Sequence, residues 1–121
     1  MLSADTHLAA RVCQVSDYVQ VSTAAPSRDV AVELAQQAVG RRLAAGAQIV
    51  GPVTSVFWHL GEQGVGEEWQ VLLYTTLARY PDLEACLHQA HPWTSPQVTA
   101  VPVVKGATGY LNWVSRTVDD A

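Results

Sequence analysis

Residues Tyr18 to Thr23 alternate, with Val19, Val21 and Thr23 on one side and Tyr18, Gln20 and Ser22 on the other. This is the two-residue period of a strand with one buried face. Beyond the loop Ala24–Ser27 the period lengthens. Val30, Ala31, Leu34, Ala35, Ala38, Val39 and Leu43 recur at spacings of three and four, while Arg28, Glu33, Gln36, Gln37 and Arg41 face outward, which predicts an amphipathic helix. Ser27 is its N-cap, Asp29 complements the helix dipole, and Gly46 is the expected stop. Gly40 inside this helix costs about 1 kcal/mol relative to alanine, so close packing is expected there.

Ala47 to Leu60 predicts a strand broken at Gly51-Pro52 by a bend or bulge. Gly61 to Gly66 forms the expected glycine-rich turn, and Glu68 to Leu77 returns as a strand. Trp69, Val71, Leu73 and Thr75 occupy one face of that strand and Glu68, Gln70, Leu72, Tyr74 and Thr76 the other. The pair predicts a long hairpin whose outer half carries Phe57, Trp58 and Trp69, more aromatic surface than a monomer leaves in water, so another chain is expected to cover it. Tyr80-Pro81-Asp82-Leu83 opens a second helix with proline in its first turn. Its inward stripe is Leu83, Cys86, Leu87 and Ala90, and His91-Pro92 ends it, because proline disfavours helical geometry at the residue before it. Val98 to Val104 alternates as an edge strand, marked by Pro102, and a short helix is expected from Thr108 to Val118. The order strand, helix, strand, strand, helix, strand, helix predicts an α+β fold: a ferredoxin-like split βαβ sandwich with a long β-hairpin and a short C-terminal helix.

Composition narrows the function classes. With 121 residues and 49% hydrophobic positions, the chain is expected to form a single domain over residues 17–121, preceded by a variable or mobile leader at 1–16. Eleven acidic residues against seven basic ones give a net charge of -4, with no basic stripe, so nucleic acid is not an expected partner. No apolar run approaches a membrane span, and the N-terminus has no basic region leading into an apolar one; the expected address is cytoplasmic, without membrane contact. Cys13 and Cys86 are expected to be reduced thiols, with no paired cysteines for a metal. No cofactor is expected, since no phosphate loop, no nucleophile beside a base and no paired carboxylates at helical spacing occur in the chain.

Leu43-Ala44-Ala45 before Gln48-Ile49, Val53-Thr54-Ser55-Val56-Phe57 with Gly61, Thr75-Thr76, His91-Pro92-Trp93 with Pro96, and Gly106 with Tyr110-Leu111-Asn112-Trp113 together resemble the CutA divalent-ion tolerance proteins. The resemblance covers about Tyr18 to Val118. It implies a tight homotrimer in which the long hairpins wrap neighbouring subunits, and structural kinship to the PII signalling proteins. It also implies metal-site positions that fall here at about Ser22, His91 and Gln97, where the family carries a cysteine, a histidine and a glutamate. Only the imidazole is kept, so no metal is expected, and His91 is the one weak candidate ligand. Gly46, Gln48, His59 and Tyr74 likewise replace the family's usual cysteine, asparagine, tryptophan and lysine.

Two functions follow. The first is a CutA-like homotrimeric protein of divalent-cation tolerance with weakened metal binding. The second is a CutA fold recruited as a cofactor-free isomerase or cyclase acting on a small molecule in a pocket between subunits, with Tyr74 as hydrogen-bond donor, His59 or His91 as acid-base group, and Trp58, Trp93, Glu68 and Gln97 as substrate-binding residues. Each has a structural alternative. His91 can cap its helix by bonding a carbonyl, His59 can be a hydrogen-bonded strand residue, Glu68 can pair with an arginine, and Trp93 can be an interface anchor.

Overall fold

The computed structural model describes residues 16–119. The leader, apart from Ser16, therefore lies outside the described residues, as do His7 and Cys13. The chain runs β1 (Tyr18–Ala25), α1 (Arg28–Gly40), β2 (Gly46–His59), β3 (Glu62–Thr76), α2 (Tyr80–Ala90), β4 (Val98–Pro102) and α3 (Thr108–Asp119). The four strands form one sheet in the order β2-β3-β1-β4, and every neighbouring pair is antiparallel. Each strand-helix-strand unit is thus split by a strand of the other, which is the ferredoxin-like arrangement.

The period-two and period-three-to-four patterns meet in one core. Val19, Val21 and Ala25 of β1 and Val71 and Leu73 of β3 pack against Ala31, Leu34, Ala35 and Ala38 of α1 and Leu83, Cys86 and Leu87 of α2. Each fully buried leucine here contributes about 1.5–3 kcal/mol relative to exposure. Ser27 caps α1 as its sequence predicts, its hydroxyl accepting from Val30 N at 3.2 Å. The opposite sheet face is covered at one end only, by α3. Val114 and Val118 pack there with Ala45, Tyr18 and Tyr74, and the Tyr18 hydroxyl pairs with Ser115 Oγ at 2.6 Å.

Several expectations are corrected. Helix α1 stops at Gly40 rather than at Gly46. Arg42 takes φ 57, and Leu43 N and Arg42 N close on Ala38 O and Val39 O, a Schellman end that carries arginine where glycine is usual. Gly40 is exposed and a Cβ there would touch nothing, so it is not a packing glycine. The hairpin turn is not the whole Gly61–Gly66 stretch. Leu60 (φ 53) and Gly61 (φ 80) alone make it, with His59 paired to Glu62, a two-residue connection with positive φ at both positions, as a type I′ turn requires. Gly64 and Gly66 lie inside β3, where the Phe57 ring covers them; a Cβ at Gly64 would come within 2.6 Å of that ring.

The Gly51-Pro52 break is borne out as a register shift between Val50 and Val53. Trp69 belongs to the body rather than to the arm, because it packs on the core cluster and lies against Gly51. The last β1 partner on β3 is Trp69, so from Glu68 outward the hairpin is a two-stranded ribbon about 20 Å long.

Candidate functional site

Pro92 stops α2 at His91, whose own N–H closes the helix on Leu87 O at 3.0 Å and whose backbone then turns extended. That turn folds the ring inward, and His91 is only 8% exposed. Nε2 lies 2.6 Å from Ala24 O, and Trp93 N donates to Nδ1 at 3.1 Å. A carbonyl can only accept and an amide N–H can only donate, so the ring is the neutral tautomer with its proton on Nε2. Trp93 also stacks on it, with ring centroids 4.9 Å apart. The imidazole is therefore a strut joining the end of β1 to the loop before β4, with both nitrogens engaged.

Ser22 pairs with Leu72 and Thr99, one step past the Thr23–Val98 pair, and Gln97 immediately precedes β4, exposed. The register sets the Ser22 and Gln97 backbones close to Ala24 along the β1–β4 edge, but Ser22 alternates with the core-facing Val21 and Thr23 and so lies on the sheet face away from α1 and α2. The chemistry of Ser22, His91 and Gln97 does not fit a copper or zinc centre: a hydroxyl and a carboxamide are weak donors, and neither imidazole nitrogen has a free lone pair. Among the described residues no three His, Cys, Asp or Glu side chains come together as a metal-binding group.

Tyr74 pairs with Gln20, two β1 positions from Ser22 and four from Ala24, and its hydroxyl accepts from Gln20 Nε2 at 2.9 Å. Tyr110 of α3 meets it edge to face at 6.1 Å, and Trp113 continues the cluster at 5.5 Å from Tyr110. Burial pushes the Tyr110 phenol up, with a smaller contribution from Tyr74. The Trp113 ring lies 3.3 Å from the position a Cβ would take at Gly46.

The other expected site residues are dispersed within one chain. His59 pairs with Glu62 at the hairpin tip while Tyr74 pairs with Gly46, about 40 Å further along β3. Trp58 is 77% exposed on the arm. Glu68 accepts from Ser55 Oγ at 2.7 Å, so its partner is a serine across the hairpin and not an arginine. Trp93 joins His91 beside Ala24, at the end of β1 from which the arm leaves the sheet. Sequence reasoning missed Gln20, Ser115 and Tyr110, which organise the Tyr18–Tyr74 end. Only their polarity on otherwise alternating segments marked them.

The architecture and this distribution of side chains define a class: a ferredoxin-like protein with a β-hairpin arm, an α3-capped aromatic cluster and a histidine-proline strut. The chain belongs to the CutA1 divalent ion tolerance family, whose family model matches residues 19–117. It is 36% identical over 89 residues to the divalent-cation tolerance protein CutA of Thermus thermophilus, covering 74% of this chain and 86% of that relative. The Escherichia coli protein of the same description is 32% identical over 100 residues, covering 83% and 89%. The solved divalent cation tolerance protein from Thermus thermophilus superposes with a TM-score of 0.78 at 34% identity, covering 80% of this chain and 94% of that one.

Proposed function

We propose that this protein is a homotrimeric, cytoplasmic member of the family whose divalent-cation binding at the histidine-proline position is weakened. The observation that carries the weakened binding is His91. A metal taken up there would have to displace either the Ala24 carbonyl or the Trp93 amide from the ring, and the chain carries Ser22 and Gln97 where the family has a thiolate and a carboxylate. The loss of one of these hydrogen bonds offsets the gain from one nitrogen ligand.

The arm supports self-association. Val56 and Val65 are cross-strand partners and remain 61% and 69% exposed; Trp58 on the same face and Leu60 in the turn are 77% and 89% exposed. A two-stranded ribbon is marginal by itself, and this apolar face is the surface a second copy of the chain would bury. Light scattering at micromolar concentration tests the assembly, with three chains per particle expected. Calorimetric titration with copper(II) and zinc(II) tests the site: weak or unsaturated heats are expected, and a tight one-per-chain isotherm would overturn the metal reading while leaving the trimer untouched.

A further inference from the structure

A cavity of about 200 Å³ opens between α3, the β4–α3 connection and the Tyr18–Tyr74 end of the sheet. Its walls include Tyr74, Val103, Tyr110, Leu111 and Val114, and Lys105 lines it from an exposed position. We propose that this cavity binds a small monocyclic aromatic carboxylate, the ring held among Tyr74, Tyr110, Leu111 and Val114 and the carboxylate at Lys105.

Size sets the ring count, since an apolar cavity of about 150 Å³ accepts one benzene. The space here therefore takes a single ring and one substituent. Tyr74 and Tyr110 already stand edge to face, an arrangement that offers a third ring both a face and an edge. Charge sets the substituent. No aspartate or glutamate lines the cavity, and Lys105 forms no ion pair among the described residues, so the local field favours an anion. Tyr110, a phenol protonated at neutral pH, adds a neutral donor rather than a competing negative charge. Tyr74 spends its oxygen on Gln20, which leaves its own proton to give. The walls are also held in place, α3 by the Tyr18–Ser115 contact and the connection by the close approach of Gly106 to Leu111, where a Cβ would meet the leucine side chain at 3.1 Å. A preformed site loses little affinity to ordering. This inference is independent of the metal reading above, as the cavity includes neither His91 nor Gln97.

The test is a titration of the assembled protein with benzoate and with its neutral analogue benzamide, followed by calorimetry and by the aromatic proton spectrum. Saturable benzoate binding at one site per chain is expected, weaker by about fivefold in Lys105→Met, the scale of one ion pair at a partly solvated site. Benzamide is expected to bind the wild type and Lys105→Met alike. Leu111→Trp, which fills the cavity, is expected to remove binding of both; its fold is checked by circular dichroism, and Lys105→Met, at an exposed position, keeps the test decisive if that variant does not fold. Absence of saturable benzoate binding at millimolar concentration, or equal benzoate affinity in wild type and Lys105→Met, overturns the proposal.

Discussion

His91 and Ala24 are joined by a 2.6 Å hydrogen bond from the imidazole Nε2–H to the backbone carbonyl, across 67 residues of chain. This bond ties the loop that follows α2 to the end of β1 and, with the Trp93 amide on Nδ1, engages both ring nitrogens. Replacing His91 with phenylalanine keeps a ring for Trp93 to stack on but leaves the buried Ala24 carbonyl and the Trp93 amide without partners. A loss of about 2–3 kcal/mol is expected, read as a lower midpoint in urea with an unchanged slope.

Helix α1 ends on an arginine held at φ 57. Left-handed geometry costs a side-chain-bearing residue about 1 kcal/mol that glycine avoids, and Arg42 is exposed. Arg42→Gly is therefore expected to stabilise the protein by up to that amount, with a higher thermal midpoint.

This helix end shows how far local signals reach. The apolar stripe predicted the helix, its N-cap and its buried face, because these depend on residues three and four apart. The stop was misplaced because glycine is the usual mark of a Schellman end, and here Leu43 anchors the motif by burying its side chain instead. In the hairpin, Gly64 and Gly66 look like turn residues, yet they make room for Phe57 from the facing strand. That fact is set by cross-strand register, which no local pattern contains. The aromatic cluster was legible only in part for the same reason. Tyr74 stands out on β3, but Gln20, Tyr110 and Ser115 reach it through strand pairing and the docking of α3.

Tyr80 offers a pH test. Burial first, then the hydrogen bond to Glu84 Oε2 at 2.8 Å and its negative charge, raise the phenol to about 12. A group whose folded pKa is raised contributes stability that is fully present below its unfolded value of 10.0 and is lost as the pH rises through the folded value. Spectrophotometric titration is expected to show one tyrosine ionising near 12. In Glu84→Gln that step moves down, though not fully to the ordinary value, because burial remains.

In the proposed assembly the exposed arm face is the contact between chains. Val65→Lys places a charge on the exposed apolar face beside Val56 and Trp58, away from the core cluster. It is expected to shift the particle mass from three chains toward one while the circular dichroism of the body persists. A trimer of unchanged concentration dependence would show that the arm face is not the contact.

The most direct measurement of the central claim is the long-range nitrogen–proton spectrum of the His91 ring, recorded with and without equimolar zinc(II). The expected result is a neutral ring with its proton on Nε2, unchanged by the metal, since both nitrogens already hold partners. A ring that loses the Nε2 proton and shifts on zinc addition would contradict the account and make His91 a ligand after all.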